Sequence, residues 1–221
     1  MGCVGVTLRN SAASGYHEDR DALARDWYDL FQSLGWQWKW MLLPNLGENT
    51  ADYAKAHGVT GVILTGGEDP GKDLCRDVSE CTLLSWCREN QLPVLGICRG
   101  MQMLHCQDGG QLVDVEREAH IAKRHYVTFS ALDNLTFHFS GVLAPRDLEV
   151  NSYHARGVAL PLCNDWQVLA QYGNTVEAFV HRYLPWVGIM WHPEREPEMS
   201  AWDRALFLSL FRPALLSEKN V

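Results

Sequence analysis

The stretch Pro93-Val94-Leu95-Gly96-Ile97-Cys98-Arg99-Gly100-Met101-Gln102-Met103 makes a buried strand turn at once into a helix, and it sets one cysteine at the turn. Val94, Leu95 and Ile97 lie in a short apolar run after a proline, the pattern of a buried parallel strand. From Arg99 onward the residues suit a helix. The local signature is Gly-x-Cys-x-Gly. Its glycines permit close backbone approach, the central residue takes a strained conformation, and the side chain projects at a helix N-terminus. Free N–H groups and the helix dipole there favour thiolate, the attacking species. A buried cysteine between packing glycines would spell the same letters, so the elbow calls for a partner.

A cysteine nucleophile needs a base, and usually a third group to orient that base. The apolar run Trp186-Val187-Gly188-Ile189-Met190-Trp191 delivers His192-Pro193-Glu194 directly after it. Pro193 biases His192 toward extended backbone, where residues two apart share a side. His192 and Glu194 are therefore expected to meet, the carboxylate holding one ring nitrogen while the other faces Cys98.

Around these points the chain alternates strand and helix. Residues 2–8, 36–43, 59–65 and 93–97 read as strands, and 18–34 and 77–90 as helices, the first stopped by Gly35. Such a βαβ rhythm implies a parallel sheet covered on both faces. After Gly109-Gly110 come shorter strands at 125–130, 148–153, 166–172 and 176–182, with Gly173-Asn174 as a hairpin turn and a closing helix at 200–216. The 221 residues, 47% hydrophobic and 21% charged, suit a single α/β domain over 1–221 without linker or repeat.

Composition also excludes. Nineteen basic against 27 acidic residues give a formal charge of −8, which argues against a nucleic-acid surface. No apolar run approaches the roughly 18 residues of a membrane span, and residues 2–8 read as a strand instead of a signal peptide, so a cytoplasmic protein is expected. The seven cysteines are odd in number, lack paired metal spacing and read as reduced thiols; Cys75, Cys81 and Cys87 read as small buried helix residues. Spacing indicates no metal and no other cofactor, and leaves the oligomeric state open.

Ligands of an open parallel sheet bind beyond the carboxyl ends of its strands. Gly66-Gly67 end one expected strand, Cys98 its neighbour and His192 the last, so they should converge. Gln102 follows Cys98 by one helical turn and faces the same mouth. Arg9 ends the first strand beside it. Arg117, His120, Lys123, Arg124 and His125 form a basic stretch that suits an anionic group, or a solvated loop.

Four blocks then carry a resemblance: Thr65-Gly66-Gly67-Glu68-Asp69-Pro70, Gly96-Ile97-Cys98-Arg99-Gly100-Met101-Gln102, Val150-Asn151-Ser152-Tyr153-His154 and Trp191-His192-Pro193-Glu194. In this order, across residues 2 to about 212, they resemble the class I glutamine amidotransferase superfamily. Cys-Arg-Gly and the glycine turn resemble its free-standing gamma-glutamyl hydrolase, peptidase C26-like branch. The resemblance implies a flavodoxin-like α/β fold with a mostly parallel central sheet flanked by helices and a smaller antiparallel β portion in the C-terminal half. It implies catalysis by Cys98, His192 and Glu194, an oxyanion hole from the backbone amides of Gly67 and Arg99, and substrate contacts from Gln102, Asn151, Ser152, Tyr153 and His154. The chemistry implied is cofactor-free cleavage of a small gamma-glutamyl substrate through a gamma-glutamyl thioester.

Further blocks, among them His120-Ile121-Ala122-Lys123-Arg124-His125, Val176-Glu177-Ala178-Phe179 and the segment from Gly188 to Glu196, look most like the gamma-glutamyl-CDP-amidate hydrolases. That likeness implies release of glutamate and cytidine diphosphoramidate, a step toward phosphoramidate decoration of capsule polysaccharide, with Arg9, Lys123 and Arg124 as phosphate contacts. Two other readings stay open: an enzyme for a simpler substrate, such as gamma-glutamyl-aminobutyrate or glutamine, working alone or beside a separate synthetase; and a non-enzymatic binding module. Intact Cys98, His192 and Glu194 count against the module. A cysteine α/β-hydrolase would place its acid before the histidine, whereas Glu194 follows His192.

Overall fold

The computed structural model describes residues 2–35, 39–130, 144–163 and 165–211. In chain order its elements are β1 (Cys3–Thr7), β2 (Arg9–Asn10), β3 (Asp21–Ala22), α1 (Asp26–Ser33), β4 (Lys39–Leu43), α2 (Thr50–Ala56), β5 (Val59–Leu64), α3 (Leu74–Glu89), β6 (Val94–Ile97) and α4 (Arg99–Gln107). There follow β7 (Leu112–Asp114), α5 (Arg117–His120), β8 (Ile121–Phe129), β9 (Asp147–Tyr153), β10 (Arg156–Ala159), β11 (Trp166–Tyr172), β12 (Thr175–His181), β13 (Trp186–Ile189) and α6 (Ala201–Leu210).

The main sheet runs β4-β1-β5-β6-β13-β12-β11-β8-β9, with β10 and β7 branching from β12. Strands β4, β1, β5, β6 and β13 pair in parallel. Val62, Ile63, Leu64, Val94, Leu95, Ile97, Val187 and Ile189 have no solvent exposure, as strands covered on both faces require. From β13 to β9 the pairing is antiparallel, so the antiparallel β portion expected in the C-terminal half is present, but with β10 and β7 it holds six of the eleven described strands of the sheet and is not the smaller part. The carboxyl ends of β5, β6 and β13 thus lie side by side.

Several boundaries differ from the sequence reading. The expected helix at 18–34 is only α1, because its apolar spacing begins at Trp27 and continues through Leu30 and Phe31. The polar residues before it include the two-residue strand β3, which pairs with β2, and the Asp21 carboxylate accepts hydrogen bonds from both the backbone and side chain of Asn45. Helix α3 starts three residues early because Asp73 caps it, accepting from the Arg76 N–H at 3.1 Å. The basic stretch at 117–125 is no loop: it is α5 running into β8. Cys75 is exposed and Cys81 half-buried, so of the three α3 cysteines only Cys87 is buried. Residues 36–38 of the expected second strand and 212–216 of the closing helix lie outside the described residues.

Where β6 passes into α4, backbone meets backbone. A Cβ at Gly96 would lie 2.6 Å from the Gly100 carbonyl, and one at Gly100 would lie 2.2 Å from the Leu64 carbonyl oxygen on β5. Neither contact can be relieved by rotating a side chain. Gly100→Ala should therefore destabilise the fold by about 1–3 kcal/mol or more, as overpacking does; a urea midpoint equal to that of the unsubstituted protein would contradict the tight crossing.

Candidate active site

Cys98 caps α4 with φ +52° and ψ −104°, one of three described non-glycine residues with positive φ. Such a conformation costs on the order of 1–3 kcal/mol and persists only where the surroundings over-determine it. Here the Cys98 N–H donates to the Ile189 carbonyl on β13 (2.8 Å), and its carbonyl accepts from the Gln102 N–H (3.0 Å). Sheet and helix together hold the elbow.

His192 stands just past β13 and is 1% exposed. Its Nδ1 lies 2.7 Å from Glu194 Oε1. The two side chains meet, but not through extended alternation: Pro193–Arg195 is a short 3-10 turn that brings Glu194 back beneath the ring. The backbone of His192 is clamped by one side chain, since Asn151 Oδ1 accepts from its N–H (2.9 Å) and Asn151 Nδ2 donates to its carbonyl (2.8 Å). Gly66 leaves room for the ring. A Cβ there would sit 2.7 Å from His192 Cε1 and 3.7 Å from the Cys98 Cβ, so β5, β6 and β13 deliver Gly66, Cys98 and His192 to one point. Burial alone would depress the imidazole pKa, but the Cys98 sulfur and the Glu194 carboxylate outweigh it and push His192 up to about 9.

The other half of the site rests on an interior ionic network. The Glu80 carboxylate, without solvent exposure, accepts from Arg76 Nε (3.0 Å), from Thr7 Oγ1 (2.9 Å) and from Arg99 Nη1. Arg76 Nη2 donates to the Thr65 carbonyl (2.7 Å) and, with Nη1, to the Gly66 carbonyl (3.2 Å each). Arg99 Nη2 also reaches Asp77. Gly67 has φ +151°, and a Cβ on it would lie 2.3 Å from Arg76 Nη1, so the guanidinium fills that space. One carboxylate thereby ties the glycine turn to the residue after Cys98. Burial would raise the Glu80 pKa, yet the two guanidinium groups lower it on balance. The sequence reading missed Arg76 and Glu80. Their only signal was the i,i+4 spacing of an ordinary surface pair.

The remaining expected contacts divide by strand alternation. Asn151 and Tyr153 face His192; the Tyr153 ring is edge-on to the imidazole at 5.7 Å and lies under the Arg195 guanidinium at 4.6 Å. Ser152 and His154 point to the other side. Ser152 Oγ donates to the His120 carbonyl (2.6 Å), and His154 is buried against His120, Glu177 and the Arg156 carbonyl. The expected substrate contact by these two side chains is thus corrected: both are turned inward. Gln102 is 1% exposed and donates to the Arg156 carbonyl (2.8 Å), while its Oε1 has no hydrogen-bond partner among the described residues.

The expected phosphate contacts also separate. Arg9 lies beside the glycine turn and is ion-paired to Glu68 at 2.7 Å. Arg124 is committed to Glu196 through Nη1 (2.9 and 3.0 Å) and lies 3.5 Å from Glu149. Lys123 is exposed and sits opposite Ser152 in register, whereas Arg124 sits opposite Asn151. Adjacent strand positions face opposite ways, so Lys123 and Arg124 cannot grip one diphosphate from the same face of β8. Metal-ligand spacing was absent from the sequence, but the fold brings His120, His154 and Glu177 together, with ligand atoms within 4.8 Å of one another.

A family model for Peptidase C26 matches residues 3–194. The chain belongs to the Peptidase C26 family. As a member it is a hydrolase acting on amide bonds, with glutamine amidotransferase-like relatives. It is 35% identical over 202 residues to the gamma-glutamyl-CDP-amidate hydrolase of Campylobacter jejuni, covering 87% of this chain and 90% of that protein. It is 28% identical to the glutamine amidotransferase-like protein YvdE of Lactococcus lactis, over 94% of this chain and 95% of that one. Among solved structures, a protein described as a GMP synthase subunit from Thermoplasma acidophilum aligns with TM-score 0.68 at 20% identity, covering 95% of this chain and 92% of that one. This last likeness speaks to the fold, which is that of the class I glutamine amidotransferases. Among the described residues no helix is long and apolar enough to cross a membrane.

In this Peptidase C26 chain, Glu80→Gln would leave two buried guanidinium groups without their shared carboxylate. Breaking a buried ion pair by removing one partner costs about 3–5 kcal/mol, and urea denaturation followed by tryptophan fluorescence should register a loss of that size. A loss below about 1 kcal/mol, the range of exposed pairs, would mean that the network does not carry the load assigned to it.

Proposed function

We propose that the protein hydrolyses a gamma-glutamyl amide with Cys98 as nucleophile, His192 as base and acid, and Glu194 as the orienting member of a catalytic triad. The observation that carries this reading is the junction of Cys98, His192 and Glu194 at the ends of β6 and β13, with His192 Nδ1 committed to Glu194 at 2.7 Å. That leaves Nε2 for the sulfur. The Cys98 sulfur attacks the gamma-carbonyl carbon, and its proton resides on His192. The developing oxyanion is met by the backbone N–H groups of Gly67 and Arg99, whose positions Arg76 and Glu80 fix in advance. His192 then protonates the departing nitrogen, the C–N bond breaks, and a gamma-glutamyl thioester remains. Water, deprotonated by His192, attacks this thioester and releases glutamate. The Oε1 of Gln102, without a hydrogen-bond partner among the described residues, is available to the substrate ammonium group, and the exposed Tyr153 forms part of the rim.

For the leaving group, similarity across 87% of the chain to a gamma-glutamyl-CDP-amidate hydrolase favours cytidine diphosphoramidate, which would place the reaction in capsule phosphoramidate synthesis, in the cytoplasm. Of the cations expected to meet the diphosphate, Arg9 is the one beside the glycine turn. A second reading, a glutaminase that serves a separate synthetase, draws support from 30% identity to a glutamine-hydrolysing GMP synthase subunit of Methanococcus aeolicus over 69% of this chain.

A panel of gamma-glutamyl-CDP-amidate, gamma-glutamyl-aminobutyrate and glutamine, with glutamate release measured for each, separates these readings. The nucleotide-linked compound should give the highest kcat/KM; preference for glutamine favours the glutaminase reading. Cys98→Ala should abolish turnover of every compound while leaving the circular dichroism spectrum unchanged, and near-normal turnover in that variant would eliminate the mechanism.

The raised pKa of His192 fixes the sign of the alkaline limb. The imidazolium present below about 9 supplies the proton for the leaving nitrogen, so activity should fall as pH rises through about 9. Glu194→Gln removes one of the charges that raise this pKa and should shift the limb to lower pH, besides lowering kcat. An alkaline limb that does not move in Glu194→Gln would remove Glu194 from this role.

A further inference from the structure

Behind β9, on the side away from His192, the chain buries a carboxylate with no guanidinium or ammonium ion-paired to it among the described residues. Glu177 on β12 is 1% exposed, and its ion-pair partners among the described residues are histidines alone. Neither of its oxygens accepts a hydrogen bond among the described residues. Oε1 lies 3.5 Å from His154 Nε2 and 3.6 Å from His120 Nδ1, and these two nitrogens lie 3.2 Å apart. The carboxylate contacts are too long for N–H···O hydrogen bonds, which close to about 2.7–3.2 Å. They match the edge of a coordination tetrahedron, since metal–nitrogen and metal–oxygen bonds of about 2.0–2.2 Å put neighbouring ligand atoms roughly 3.3–3.6 Å apart.

The surrounding contacts orient the same atoms. His154 Nδ1 lies 3.1 Å from the Arg156 carbonyl, which leaves the Nε2 lone pair directed at Glu177 and His120. Metal-bound histidines are held in this manner by their second nitrogen. His125 Nδ1 likewise rests on the Ala119 carbonyl (3.2 Å), and its Nε2 faces the other carboxylate oxygen, Oε2, at 3.7 Å. The Tyr172 ring stacks on His125 at 4.1 Å and closes the cluster.

We propose that His120 Nδ1, His154 Nε2 and Glu177 Oε1 bind one divalent first-row transition metal ion, zinc by preference. Two imidazoles and a carboxylate, with no thiolate, form a donor set that zinc accepts, leaving one position for solvent. The ion would staple α5, the end of β9 and β12 together. Its effect would reach the proposed substrate pocket through the Arg156 carbonyl, which meets both the His154 ring and the side-chain amide of Gln102. The inference stands independently of which gamma-glutamyl compound is cleaved.

The test uses the full chain purified without a histidine tag, stripped by chelator, incubated with zinc and desalted. One equivalent of zinc should remain in the unsubstituted protein and in Cys98→Ser, and less than a tenth of that in Glu177→Gln and in His154→Gln. Zinc-edge X-ray absorption on the unsubstituted protein decides the case even if those variants fold poorly. A shell of nitrogen and oxygen near about 2.0 Å with imidazole scattering supports the site, whereas sulfur near about 2.3 Å would move the ion to a cysteine and overturn it. The proposal also fails if no zinc is retained, the result expected were the cluster held by an imidazolium proton alone, or if Glu177→Gln retains a full equivalent.

Discussion

Glu80 carries two guanidinium groups in the interior, and much of the site depends on how that charge is shared. Taking a carboxylate out of water costs several kcal/mol, recovered only where geometry and further hydrogen bonds are good. Here Arg76, Arg99 and Thr7 all meet the one carboxylate, and Arg76 directs its remaining donors to the carbonyls of Thr65 and Gly66. The glycine turn after β5 and the first residue of α4 are therefore not positioned separately. Both hang from one side chain on α3, so a developing negative charge would meet N–H groups whose orientation is fixed before substrate arrives.

Opposite this anchor, β9 works on both of its faces. Asn151 grips the backbone of His192 through its N–H and carbonyl, and its amide also donates to Glu196, which Arg124 holds from β8. The alternate residues, Ser152 and His154, serve the buried histidine cluster. A single strand thus connects the proposed base to a second group of titratable side chains, and the Arg156 carbonyl joins that group to Gln102. The conformation of Cys98 depends on the same economy of space. With glycine at 96 and 100 the backbones cross close enough for the positive φ at position 98 to be held from the sheet on one side and the helix on the other.

Sequence by itself determined the elbow, the strand-helix rhythm and the meeting of Cys98 with His192, because each rests on local rules. Glycine permits close approach, an apolar run of four marks a buried strand, and parallel strands present their carboxyl ends to one edge. Family membership was equally legible, since four ordered motifs carry it. Tertiary structure alone decided the rest. The i,i+4 pair of Arg76 and Glu80 looks like any solvated pair until β1 and α4 cover it, and burial is a property of the neighbours. The basic look of residues 117–125 dissolved once β8 was in place, because His125 is buried, Lys123 and Arg124 stay exposed, and alternation turns Arg124 to the face opposite the other two. His120, His154 and Glu177 sit on separate elements, so no spacing along the chain records their meeting; only the antiparallel pairing of β8 with β9 and of β10 with β12 puts three donors around one point.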